Sequence, residues 1–369
     1  MKRQAGAWAC VACLLVSGCG FGYRGESAPA AFLPRGTKPI VKIGLVAPFE
    51  GRYRALGYEV LYAVKWAVRQ RNGAGGVAGY MIELITLDDG DDPESSAFQA
   101  LKFGIDQGVV GVVGPFSEAA AQSAASVYHE LGLAMVTPAM CSRSLVSLGY
   151  GEVFCLGASA EVLGHALVER LPANARVTLV RAEKGPLGDQ LLPSAQRVLV
   201  APWTESTLRE LPGDAIDVYL YDGDVLSAAE LLMTMRRAGN DAPLWGGPSL
   251  ARTQLPQIAG DAATGACYAL TAPLLADLSP EGAFVVGYQE LAGTTPGLWA
   301  ALAYDATMLL LDALEQDIEA AGRPTRQGII ARLGNVRGPD GQPVFKGGRR
   351  RHAETTFRCY GRTTSSTEG

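Results

Sequence analysis

The sequence predicts an α/β protein built of two doubly wound parallel-sheet lobes. Three observations predict it. Short, wholly apolar runs rich in Val, Ile and Leu alternate with helical segments along most of the 369 residues. That is the pattern of parallel strands covered on both faces. The runs fall into two successive series, one for each sheet. The composition, 48% hydrophobic and 19% charged, is that of a globular chain long enough for two domains.

The first series begins at Val41–Ala47, a buried-strand run. Arg54–Arg71 has helical spacing and is closed by Asn72-Gly73-Ala74-Gly75-Gly76. Met81–Leu87 is a strand, and Asp92-Pro93 opens a helix, with Asp as cap and Pro in the first turn. Val109–Val113, Ala134–Thr137 and Val153–Leu156 are further strands with helices between them. The second series is Val177–Val180, Val198–Val200, Val218–Tyr221 and Leu244-Trp245, with Ala266–Leu270 as one more apolar run. Ligands of such sheets bind beyond the carboxyl ends of the strands. The stretch VVGPFSEAAA at 112–121 lies at one such end, where a helix start begins with Glu118. Free N–H groups there attract anions, so a carboxylate of the chain's own is conspicuous.

The formal net charge of -5 suggests no polyanion, and nucleic acid is not an expected partner. The basic run Lys346–His352 is read as a solvated loop. At the N-terminus, Lys2 and Arg3 precede an apolar run, Ala5 to Ser17, that is too short for a typical membrane span. Residues 1–19 are read as a signal peptide ending in Leu15-Val16-Ser17-Gly18-Cys19, which resembles a bacterial lipobox. That resemblance implies that Cys19 is lipidated and becomes the mature N-terminus. Residues 20–38 read as a flexible tether. Their GFGYRG matches a dinucleotide fingerprint only formally, because no strand precedes it and no helix follows. No other segment is long and apolar enough to span a membrane, so the body is expected to be soluble, exported and tethered. Its place is the outer face of the cell membrane or the periplasm.

Four cysteines remain in the body: Cys141, Cys155, Cys267 and Cys359. An even number in an oxidising compartment allows three pairings. The short loop favours Cys141–Cys155, with Cys267–Cys359 as the second bridge; four buried thiols are the other reading.

The chain resembles a known family through pieces in matching order. They are VKIGLVAPFEG at 41–51, RNGAGGVAGYMIELITLDDGDDP at 71–93, VVGVVGPFSE at 109–118 and YHELGLAMVTPA at 128–139, then IAGDAATG at 258–265 and AYDATMLLLDAL at 303–314. These resemble the type I periplasmic binding proteins, specifically the leucine/isoleucine/valine-binding branch. The resemblance implies two α/β lobes joined by a three-stranded hinge and closing on a small-molecule ligand. It places lobe one at 39–159 plus 271–338 and lobe two at 160–270 plus 339–361, with 362–369 as a disordered tail. Between Asp189 and Ala215 the chain is shorter than the family pattern. The implied role is that of a monomeric lipoprotein that delivers a ligand to the permease of an ABC transporter.

In amino-acid-binding members, a serine after the Gly-Pro and a threonine in the next loop hold the ligand carboxylate. A glutamate and tyrosines of the second lobe help hold the ammonium. The resemblance places Ser117 and Glu118 at the paired serines, with Glu118 at the carboxylate-binding one. Cys141 falls at the threonine, Asp224 at a ligand-contacting tyrosine and Pro248 at the glutamate. Leu56 falls where an aromatic residue usually packs, and Trp299 keeps an aromatic position. Ala139 keeps a small residue whose carbonyl can accept a hydrogen bond. The candidate ligand-binding set is therefore Leu56, Ser117, Glu118, Ala139, Cys141, Asp224 and Trp299. Much of the α-amino-acid pattern is missing, and a ligand carboxylate beside Glu118 would meet like-charge repulsion. Glu118 and Asp224 suit a cationic or polyhydroxylated ligand, with Trp299 available for stacking. Structural roles stand beside these. Glu118 can complement the helix dipole, Asp224 can cap a helix, and Trp299 can be a core or hinge residue. Arg143 either neutralises Glu118 or is solvated.

No catalytic constellation, cofactor motif or metal spacing is present. His129, His165 and His352 are scattered, and there is no GxSxG or GxxxxGK[ST]. Asp88, Asp89, Asp91, Asp92 and Glu94 lack the pattern of a calcium loop and read as a strand end followed by a helix cap. The expectation is a binding protein rather than an enzyme. The alternative to transport is a tethered ligand sensor or accessory protein using the same fold.

Overall fold

The structure, a computed structural model, describes residues 38–181, 185–200 and 217–361. The leader with Cys19, the tether up to residue 37 and the tail at 362–369 lie outside the described residues. So does most of the region, Asp189 to Ala215, in which the second lobe is expected to be trimmed.

The described residues form two sheets. In the first lobe the strands are β1 (Ile40–Ala47), β2 (Met81–Asp88), β3 (Val109–Val113), β4 (Ala134–Thr137) and β5 (Val153–Cys155). They run parallel in the order β5-β4-β3-β1-β2, with β1 and β2 in register from Ile40↔Met81 to Ala47↔Asp88. Burial on both faces explains why the runs are continuously apolar. On one face, Ile43 and Leu45 pack with α1 (Arg54–Gly73) and with the long helix Leu298–Ala321. On the other, Val46, Val109 and Val112 pack with α2 (Pro93–Ile105) and α3 (Glu118–Glu130). The expected cap of α2 is present: Asp92 accepts from the Ser95 amide at 2.8 Å, and Pro93 occupies the first turn.

The second lobe holds β6 (Arg176–Arg181), β7 (Arg197–Val200), β8 (Asp217–Asp222), β9 (Leu244–Gly246) and β10 (Cys267–Thr271). The order β10-β9-β8-β6-β7 is again parallel. A strand not foreseen from the sequence, β13 (Thr355–Cys359), adds antiparallel to β10. Cys267 stands opposite Cys359 in that register, and the two form a disulfide. Cys141 and Cys155 do not pair; both are buried free thiols.

The chain crosses between the lobes three times: after β5, after β10, and between β12 (Arg349–Arg350) and β13. Backbone and side chain tie the crossings together. The Ala158 amide donates to Thr271 Oγ1 at 2.7 Å, and the Ala272 amide donates to the Glu354 carbonyl at 2.8 Å.

Two expectations are corrected here. Residues 339–350 belong with the first lobe, because β11 (Phe345–Lys346) and β12 extend its sheet through the pair Arg349↔Cys155. The basic run Lys346–His352 is accordingly not a solvated loop throughout. Arg350 is only 9% exposed and donates to the Ala272 carbonyl at 2.7 Å. A two-residue strand has too short a pattern to be seen in sequence; its partner supplies it.

Candidate functional site

The carboxyl ends of the parallel strands of both lobes face one cleft, as the switch-point rule requires. Its outer part has a volume of about 690 Å³, within the usual range for small-molecule sites. The first lobe contributes Tyr53, Asp91 after β2, and Ser117 with Glu118 after β3. The second contributes Arg181, Gly223 with Asp224 after β8, and Ser249 with Arg252 after β9. A smaller inner chamber of about 130 Å³ is walled by Phe116, Met140, Tyr221, Asp222, Pro248 and Trp299, among others.

The loop 114–118 is shaped by a glycine. Gly114 has φ +100°, and a Cβ there would lie 2.3 Å from the Val46 carbonyl oxygen. This close approach places Ser117 as the cap of α3, accepting from the Ala120 amide at 3.4 Å. Glu118 follows in the first turn, half-buried on the cleft wall. Its carboxylate complements the helix N-terminus and faces the cleft as well, so the two readings coexist.

Four of the seven sequence candidates meet here: Ser117, Glu118, Asp224 and Trp299. Asp224 has local duties. It caps α7 (Val225–Arg237), accepting from the Leu226 and Ser227 amides at 2.9 and 3.2 Å and from Ser227 Oγ at 2.7 Å. Trp299, at the start of the long helix Leu298–Ala321, meets Phe116 edge-on with centroids 6.3 Å apart.

The other three lie behind the wall. Leu56 sits on the core stripe of α1 with Val60, Ala63 and Val64. The Ala139 carbonyl is covered by Gly157, where a Cβ would come within 2.0 Å of it. Cys141 is buried beside the Cys155 thiol, and its amide donates to the Ala158 carbonyl at 3.0 Å. The residue of this loop that reaches the inner chamber is Met140. Arg143 does not neutralise Glu118; it pairs with Glu161 at 2.7 Å.

Sequence reasoning missed the residues that bridge the lobes. Arg252 of the second lobe pairs with Asp91 of the first at 2.9 Å, each side chain 9% exposed. The same guanidinium lies 5.0 Å from the Tyr53 ring centroid. Asp91 adopts φ +62°, a left-handed conformation that aspartate tolerates. Beside this pair, Glu59 accepts from Thr253 Oγ1 across the lobes at 3.1 Å and from the Ala300 amide at 3.2 Å. Burial pushes its carboxyl up to about 7, opposed by those hydrogen bonds and by Arg252. Gln254 Nε2 donates to the Arg52 carbonyl nearby. Asp91 was legible only as part of an acidic cluster. Arg252 had the one signal that it follows a strand end.

A model of the family described as periplasmic binding protein matches residues 40–201 and 205–364. The chain belongs to the periplasmic binding protein family. Its relatives are binding proteins rather than enzymes. The "Leucine-, isoleucine-, valine-, threonine-, and alanine-binding protein" of Pseudomonas aeruginosa is 24% identical over 300 residues, 76% of this chain and 79% of the relative. A "Leu/Ile/Val-binding protein" of Rhizobium johnstonii is 27% identical over 260 residues, 65% and 70% of the two chains. Among solved structures, a branched-chain amino acid transporter substrate binding protein from Streptococcus pneumoniae, in complex with isoleucine, superposes with a TM-score of 0.72. Its identity is 21%, covering 84% of this chain and 93% of that one. A type 1 periplasmic binding protein from Bordetella pertussis gives a TM-score of 0.73 at 18% identity, covering 89% and 98%. The fold with two parallel-sheet lobes is thus the family's fold.

Proposed function

We propose that this chain is an extracytoplasmic solute-binding lipoprotein. It captures a small polar ligand between its lobes and presents it to the permease of an ABC transporter. The observation that carries the reading is the cleft at the strand ends, about 690 Å³, with Asp91 and Arg252 paired across it. A ligand held there contacts both lobes, so binding and lobe closure are one event. The relatives named for leucine, isoleucine and valine support transport of a small metabolite. The walls argue against a plain α-amino acid held in the usual way, because Glu118 faces the cleft and Pro248 offers no charge to an ammonium. Ser117, Glu118 and Trp299 are the sequence candidates retained as ligand contacts, with Arg252 added.

Two experiments test this. In a thermal-shift screen of amino acids, amides, amines and sugars, a ligand should raise the melting temperature progressively with concentration. A flat response to the whole screen argues against a working cleft. For the anchor, Cys19→Ser should move the protein from the membrane fraction to the soluble one; an unchanged distribution removes lipidation from the reading.

A further inference from the structure

The described walls of the cleft carry five carboxylates, Asp91, Glu118, Asp189, Asp222 and Asp224, against two guanidiniums, Arg181 and Arg252. Three of the five have other work. Asp91 is paired with Arg252, Asp224 caps α7, and the largely exposed Asp189 stands 3.8 Å from Arg181. Glu118 and Asp222 remain, and both wall the inner chamber, one from each lobe. Among the described residues no donor reaches the Glu118 carboxylate. Asp222 ends a strand buried along its whole length and is itself 2% exposed. One of its oxygens accepts from the Leu187 amide at 3.0 Å; the other, Oδ2, has no partner among the described residues.

Acidic side chains at a cleft say little by themselves, since water solvates them. The buried atoms are a separate observation. Trp299 is 2% exposed, walls the same chamber, and its indole N–H has no acceptor among the described residues. Buried polar groups are nearly always satisfied, so an orphan acceptor and an orphan donor at one chamber point to an absent partner. Burial also raises the Asp222 carboxyl above its ordinary range, with Arg181 pulling part of the way back. A positive charge alongside would relieve that penalty.

We propose that the inner chamber takes the headgroup of a compact organic cation, held between Glu118 and Asp222, with an acceptor oxygen of the ligand on the Trp299 indole N–H. The proposal rests on the chain being a solute-binding protein and names its ligand class. A neutral polyol could donate to both carboxylates but would leave their charges uncompensated in a closed cleft. An anion would be repelled by both. The aromatic rings of Phe116 and Tyr221 also wall the chamber, and a π-surface favours a cation. Tyr221 is held in place by its hydroxyl, which donates to the Asp224 carbonyl at 2.7 Å. The negative cleft would also concentrate cations at its mouth.

The test is isothermal titration calorimetry on the mature chain with choline, ethanolamine and leucinamide as cationic probes, and leucine and ribose as the zwitterionic and neutral ones. At least one cation should bind. Glu118→Gln and Asp222→Asn should each weaken it about tenfold or more, the usual effect of removing a charged hydrogen-bond partner. Glu118→Gln lies on a half-buried first turn and serves if the Asp222 variant folds poorly. Binding of leucine or ribose with the cations silent overturns the inference and leaves the binding-protein reading standing. Cation binding that is indifferent to both variants also overturns it. Silence from all five probes counts against both.

Discussion

The pair Asp91–Arg252 should govern how readily the lobes stay together. The perturbation is Arg252→Ala. The pair spans the cleft at 2.9 Å with both side chains 9% exposed, so it is shielded from most of the solvent when the lobes meet. Separating the lobes returns both charges to water, which recovers much of their desolvation cost. What remains is the net value of a charge-assisted hydrogen bond, roughly 1.5–3 kcal/mol. The guanidinium over Tyr53 adds about 0.5–1 kcal/mol at such a site. Loss of about 2–4 kcal/mol would lower the ratio of closed to open protein roughly thirty- to 800-fold. Apparent ligand affinity would fall with the closed fraction. The assay is a pulsed electron resonance distance between spin labels at the exposed positions Glu94 on α2 and Glu230 on α7. Arg252→Ala should shift the distribution to longer distances. Adding Asp91→Ala should cost less than its single effect, because the first variant leaves a carboxylate unpaired. An unchanged distance distribution in Arg252→Ala would refute the reasoning.

Other outcomes follow from the same structure. Glu59 is raised from 4.5 to about 7, and Asp89, also buried, from 3.8 to about 7. Between those values the folded protein holds protons that the unfolded chain has released. Stability should therefore decline as pH rises from about 4.5 to 7 and level off above it. Urea unfolding across this range checks the sign, and Glu59→Gln should flatten the slope; a slope unchanged in that variant rejects the assignment to Glu59. In protein lacking the leader, thiol labelling under denaturing, non-reducing conditions should modify Cys141 and Cys155 only, because Cys267 and Cys359 are joined. Labelling of all four would reject the bridge. Reduction should destabilise by a few kcal/mol, since the bridge closes a separation of 92 residues, for which chain entropy allows up to about 4–5 kcal/mol. Asp224→Ala removes the cap of α7 and should cost about 1 kcal/mol in chemical denaturation; no measurable loss would mean the cap carries no stability.

The parallel strands and the α2 cap were legible because each is encoded in a short window. A parallel strand buried on both faces must be apolar throughout, so Val109–Val113 and Ala134–Thr137 stand out with correct ends. Asp92-Pro93 announces its helix through two residues of local chemistry. The edge pieces were not legible. β11 and β12 are two residues each; β12 exists because β5 offers an open edge, and β11 pairs in turn with β12.

The sequence by itself determined the fold class, the family and the loops that meet at the cleft, because strand burial and turn chemistry are local. It could not say which members of those loops face inward. Only the tertiary structure decided that Leu56, Ala139 and Cys141 are backing for the wall, that Asp224 serves its helix, and that Asp91 answers Arg252. Neighbours far apart in the chain, Gly157 over the Ala139 carbonyl or Tyr53 under Arg252, set those orientations. The charge that a ligand meets depends on which carboxylates the protein has already paired, and pairing is a property of the assembled lobes.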